Sequence, residues 1–189
     1  IFTFEGADGT GKDTLVDILH EKLPDSFIVR FPDRTNITGN IINKILKKEI
    51  TFPDPYAFQS LMLANKIETL ININKNKTIN PHVFLFCRYY ESAMVYGLND
   101  GIPVILSREL NSVLPQSEMT FILDGKKYRA DNEHYEQTEV QENLSRNYRA
   151  LARAYNWNII DNRRTPDEIA DDILERIRQH EFNTSDNIF

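Results

Sequence analysis

The sequence predicts an α/β fold: a five-stranded parallel sheet covered by helices on both faces. Three observations carry that prediction. Short apolar runs alternate with longer helical patterns along the chain. The runs lack the polar alternation of a sheet with one wet face, so both faces are expected to be buried. The first run passes through a glycine-rich loop directly into a helical pattern. Successive parallel strands then require right-handed crossovers.

In chain order, the strand candidates are residues 1–5, 27–31, 83–86, 119–123 and 157–160. Helical patterns cover 11–23, 39–48, 55–74, 103–114, 139–155 and 166–180. Thr165-Pro166-Asp167-Glu168 is a start signal for the last helix, a capping hydroxyl followed by proline in the first turn. The asparagine-rich stretch 72–80 reads as loop, and the tail after His180 as frayed. No repeat, linker or composition break divides the chain, so residues 1–189 are expected to form one domain.

Composition excludes several classes of partner. A net charge of −6, from 22 basic and 28 acidic residues, argues against nucleic acid held through its backbone, which needs a basic face. A positive pocket for a small phosphorylated ligand is compatible with it. Cys87 stands alone, which excludes an internal disulfide and a multi-cysteine zinc site and fits a reducing compartment. No run is long and apolar enough for a membrane span. No export signal is visible, so the cytoplasm is the expected location. Ile1 already lies in a strand pattern, so at least one residue is expected before it.

The glycine-rich stretch 6–14, GADGTGKDT, has the strand–loop–helix order of a phosphate cradle. Gly6, Gly9 and Gly11 let the backbone turn sharply, so that the N–H groups of Gly6, Ala7, Gly9, Thr10 and Gly11 can point inward at phosphate oxygens. The helix starting near Lys12 adds its positive end, and Lys12 adds a charge at the outer phosphates. The usual pattern places a magnesium-binding hydroxyl straight after the lysine; this chain has Asp13, with Thr14 one position later. Asp13 can ligate Mg²⁺ as a hard oxygen donor or simply favour the first helical turn.

The segment from Glu5 to Lys12 resembles the start of thymidylate kinases, in the nucleoside monophosphate kinase group. The resemblance continues in register through RFPDRT at 30–35, LANKIE at 63–68, CRYYESAMVYG at 87–97, FILD at 121–124, HYE at 134–136 and NWNIID at 156–161. It implies a P-loop kinase fold with a short lid at about 124–138. It implies transfer of the γ-phosphate of ATP, with Mg²⁺, to a pyrimidine deoxynucleoside monophosphate, foremost dTMP, and pairing as a homodimer. Such a reaction consists largely of positioning and charge neutralisation, so cations must surround the moving group.

By the same resemblance, Lys12, Arg34, Arg88 and Asp8 are the catalytic candidates. Arg34 and Arg88 would hold the acceptor phosphate as guanidinium forks, and Asp8 would face the sugar 3′-hydroxyl. Tyr96 would crowd the 2′ position, Phe31 and Pro32 would wall the pocket, and Met62, Lys66, Ser92, Tyr135 and Glu136 would complete the acceptor site. Lys126, Lys127 and Arg129 are the lid cations.

The chain departs from the family at several of these places. Cys87 replaces an aspartate that helps organise magnesium, and Asp13 is placed to restore the lost charge. Lys66 replaces an arginine that reads the pyrimidine 4-oxygen, Met62 a stacking phenylalanine, and Ala93 a glycine or polar amide. Two alternatives therefore stand: a kinase for a modified pyrimidine, free or in DNA, and a nucleotide-binding regulator that has lost the transfer.

Overall fold

The structure, a computed structural model, describes residues 1–51, 54–76, 79, 81–125 and 138–185. Five strands form one sheet: β1 (Phe2–Glu5), β2 (Ser26–Arg30), β3 (Val83–Cys87), β4 (Met119–Asp124) and β5 (Asn158–Asp161). Their order is β2-β3-β1-β4-β5, and every pairing is parallel. The expected fold class and all five strand positions are recovered, with β2 and β5 shifted by one residue.

The helices are α1 (Lys12–Lys22), α2 (Ile37–Leu46), α3 (Pro55–Lys75), α4 (Tyr90–Asn99), α5 (Val104–Leu110), α6 (Thr138–Tyr155) and α7 (Pro166–Ser185). One face of the sheet presents Phe4, Leu85, Phe121 and Ile160 to Leu15 and Leu19 of α1 and to Ile173 and Ile177 of α7. On the other face Ile122 packs with Met94 of α4 and Leu144 and Tyr148 of α6. Phe86 and Val29 continue that second layer beneath Tyr89 and Phe31. Burial on both faces is what the uninterrupted apolar strands require.

Helix starts follow local chemistry. Asn36 accepts from the Gly39 N–H at 2.8 Å and starts α2 two residues before the expected position. Asp54 caps α3 ahead of Pro55. Thr165 and Glu168 form a reciprocal capping pair at the start of α7, as the sequence predicts.

Three expectations need correction. α4 is a helix that the apolar pattern does not announce. α5 stops at Leu110 instead of 114, because the N–H groups of Ser112 and Leu114 bond three residues back, to the carbonyls of Glu109 and Asn111, and so tighten the chain into a turn. α7 continues to Ser185 past the expected fraying at His180, through a stretch with no glycine or proline to end it.

Candidate active site

The loops after β1, β2, β3 and β5 meet at the carboxyl edge of the sheet around a cavity of about 970 Å³. This is the upper end of the usual range for ligand sites, roughly 300–1,000 Å³, and it lies where open α/β sheets bind ligands.

Its floor is the loop between β1 and α1. Gly6 has φ 140°, and a Cβ there would lie 2.5 Å from the Leu123 carbonyl oxygen, so this turn demands glycine. α1 begins from Gly11 with no side-chain cap, leaving its first N–H groups facing the cavity. Lys12 is only 4% exposed. Its Nζ donates to the carbonyls of Gly6 at 2.9 Å and Ala7 at 2.8 Å, and Thr10 Oγ1 also donates to Ala7 O. Burial, reinforced by Arg88, lowers the Lys12 ammonium to about 8. Gly9, Thr10, Gly11, Asp13 and Thr14 line the cavity directly. Asn162, after β5, braces this loop by donating to Thr10 O at 2.9 Å.

The same loop carries Asp8, on which a cluster is built. Arg88 Nη2 pairs with Asp8 Oδ1, and Arg88 Nη1 donates to the Tyr96 hydroxyl at 2.9 Å. That hydroxyl donates in turn to Asp8 Oδ2 at 3.4 Å. Gln141 of α6 grips Asp8 at two points, accepting from its N–H at 3.0 Å and donating to Oδ2 at 2.9 Å. Burial acts to raise the Asp8 carboxyl, but Arg88 and Lys12, with Gln141 and Tyr96, hold it below its ordinary value. Asp8 therefore stays ionised and fixes the fork of Arg88 beside the cavity.

The far wall comes from α3 and the loop after β2. Lys66 is 2% exposed, lines the cavity and donates to Met62 O at 3.4 Å. Burial lowers its ammonium to about 8, with Glu5 and Glu91 opposing. Met62, Phe31, Pro32 and Ser92 line the same wall. Phe31 stacks on Tyr89 with ring centroids 5.4 Å apart. Arg34 is exposed at the cavity mouth and donates to Asn43 Oδ1 at 3.1 Å. Its loop is fixed by buried Asn65, which accepts from the Asp33 N–H and donates back to Asp33 O, both at 2.9 Å.

The two departures from the usual pattern touch each other. The Cys87 thiol donates to Asp13 Oδ1 at 3.5 Å, and Arg30 Nε donates to the same oxygen at 3.0 Å. Burial, with Asp13 adding to it, pushes the Cys87 thiol up to about 12, so the carboxylate supplies the charge at this corner.

Lys12, Asp8, Arg88, Tyr96, Lys66, Met62, Ser92 and Arg34 are thus brought around one cavity. Lys126, Lys127, Arg129, Tyr135 and Glu136 lie outside the described residues. Gln141, Arg30, Asn65 and Asn162 escape the sequence reading. The LANKIE segment contains Asn65 and RFPDRT opens with Arg30; Gln141 and Asn162 carry no local signal.

The family model described as thymidylate kinase matches residues 4–173. A probable thymidylate kinase of Pyrobaculum aerophilum is 28% identical over 183 residues, covering 93% of this chain and 94% of its own length. A thymidylate kinase of Dictyostelium discoideum is 30% identical over 188 residues, covering 90% of this chain and 81% of its own. Among solved structures, the thymidylate kinase of Candida albicans superposes with a TM-score of 0.76 at 24% identity, covering 95% of this chain and 91% of that one. At that identity the superposition speaks for the fold.

Proposed function

The chain belongs to the thymidylate kinase family, and we propose that it moves the γ-phosphate of ATP onto dTMP, giving dTDP. One observation carries the reading: the phosphate loop with Lys12, and the Arg88–Tyr96 pair that Asp8 of the same loop anchors, line a single cavity. Donor phosphates fit the loop, and the acceptor phosphate fits Arg88 and Arg34. Lys12 and Arg88 then flank the phosphoryl group from opposite sides and neutralise charge as it transfers. Asp8 accepts from the acceptor's 3′-hydroxyl and orients Arg88. Asn162, Arg164 and Pro166 at the other end of the cavity suit the donor base. Neither a modified pyrimidine nor a regulatory role is favoured by these relatives.

A coupled ADP-release assay across dTMP, dUMP, dCMP, dAMP and dGMP tests this directly. dTMP should be turned over fastest. Equal rates on all five, or ADP release indifferent to acceptor, would overturn it.

Magnesium suits the donor set. Among the described residues no three His, Cys, Asp or Glu side chains cluster for a metal, and Mg²⁺ at nucleotide sites is held largely by substrate phosphates and water with one or two protein oxygens. Asp13, 70% exposed on its side chain, and the Thr14 hydroxyl are the hard oxygens beside the loop. Bound there, the ion would neutralise the outer phosphates. Asp13→Ser should raise the Mg²⁺ concentration for half-maximal ATP binding, and adding Cys87→Asp should restore it. Independent effects of the two changes would sink the idea that Asp13 stands in for the missing aspartate.

Tyr96 sets the sugar preference in this reading, its ring held beside the acceptor by Arg88 and Asp8. Tyr96→Ala should narrow the gap in kcat/KM between dTMP and its ribonucleotide; unchanged discrimination would return Tyr96 to a packing role.

The chain acts as one kinase domain over residues 1–189, in the cytoplasm, as a homodimer. Exposed Ile37 and Ile41 on α2 and Ile67 and Ile71 on adjacent α3, each pair one turn apart, support the pairing surface. Light scattering should report twice the chain mass, and a monomer at micromolar concentration would remove this part of the reading.

A further inference from the structure

Arg88 has a left-handed backbone, φ 64°. That conformation is strained for a residue with a Cβ and persists only where its surroundings over-determine it. Two adjacent residues of β1 do so. The Arg88 N–H donates to the Phe4 carbonyl at 3.0 Å, and the Tyr89 N–H donates to Glu5 Oε1 at 2.8 Å. The peptides before and after the strained Cα are therefore both held by one strand.

Glu5 does more than hold that peptide. Its Oε1 also accepts from the Ser92 N–H at 3.0 Å, and its Oε2 accepts from the Ser92 and Tyr148 hydroxyls, each at 2.7 Å. Tyr89, the N-cap of α4, offers no side-chain cap of its own. A carboxylate from a different strand thus caps the helix, at the end where a negative charge is favoured. Glu5 and Tyr148 are both buried, and neither is on the cavity wall. Burying a carboxylate is costly, and an apolar side chain would serve the core alone better. The hydrogen bonds of Glu5 converge instead on Tyr89, next to Arg88 in the chain, and on Ser92, which lines the cavity.

We infer that Glu5 and Tyr148 are positioning residues of the acceptor site: Glu5 fixes the Arg88 backbone and the Ser92 hydroxyl, and Tyr148 fixes Glu5. Arg88 presents its fork to the acceptor only while its peptide is held. Tyr148, far away in the chain on α6, completes the set of donors that keeps Glu5 in place.

Tyr148→Phe is the primary test, because it keeps the ring and removes one donor. Calorimetric titration should show dTMP binding weakened about five- to tenfold, with ATP binding changed by less than about twofold. Glu5→Ala should weaken dTMP binding further, by about thirtyfold. Glu5→Gln, whose amide oxygen still accepts both N–H groups, should stay within about threefold of the parent. Unchanged dTMP affinity in Tyr148→Phe would overturn the role. So would a parallel loss of dTMP and ATP binding that tracks a lower melting temperature, since that is what mere structural damage gives. Because the role presupposes that Arg88 holds the acceptor, the parent protein is titrated alongside. If the parent does not bind dTMP, the acceptor reading itself falls, and this role with it.

Discussion

Lys12→Ala should lower kcat by about a hundredfold or more while leaving the fold intact. The Lys12 ammonium is buried under the loop it serves, hydrogen-bonded to the Gly6 and Ala7 carbonyls. In the proposed reading it faces the donor phosphates, and burial leaves it little water to screen its field. Truncation removes that charge from the site and leaves no unpaired buried charge, because the carbonyls Lys12 bonds to are neutral. The ADP-release assay and a thermal melt together decide the matter. Near-normal turnover with unchanged melting would mean that the loop between β1 and α1 does not hold the donor phosphates.

Lys66→Met should depress kcat/KM for dTMP about ten- to a hundredfold and spare dCMP. Lys66 is 2% exposed, so a solvent-facing helix lysine is ruled out, and its ammonium reaches the cavity from α3. A protonated lysine donates well to the 4-oxygen of thymine and poorly to the amino group of cytosine. Burial lowers its ammonium to about 8, against the opposing pull of Glu5 and Glu91, so the charge is present below that pH and is lost above it. The preference for dTMP over dCMP should therefore hold at neutral pH and decline as pH rises through about 8. A dTMP-to-dCMP ratio that ignores both the substitution and the pH would take base recognition away from Lys66.

The strands were legible in the sequence because burial on both faces leaves each an uninterrupted apolar run, as in FTFE and VFLFC. α4 was not legible. Its sequence, YESAMVYGLN, is buried around most of its circumference, with Glu91, Ser92 and Gly97 inside, so no amphipathic stripe marks it. Its cap comes from Glu5 on another strand, and no local signal can announce that. The site divides in the same way. Lys12, Asp8 and the glycines are contiguous and read as one motif. Gln141 reaches Asp8 across a separation of 133 residues, and Arg30 gains meaning only once β2 and α1 are side by side with Asp13 between them.

The sheet order has a consequence for how the molecule assembles. β1 is the innermost strand, flanked by β3 and β4, both of which lie far downstream in the chain. The strand that leads into α1 therefore has no partner until β3, residues 83–87, has been made, and lacks its second neighbour until β4, residues 119–124. Contacts so distant in sequence are slow to form, because the intervening chain must close before they stabilise anything. Phe2 and Phe4, at the centre of the finished core, stay uncovered during that interval, the kind of transient apolar surface on which newly made chains associate wrongly. If nucleotide binding needs Lys12 from the loop after β1 and Arg88 from the loop after β3, as proposed, it arises only once β1 and β3 have paired, so its appearance during refolding times that pairing.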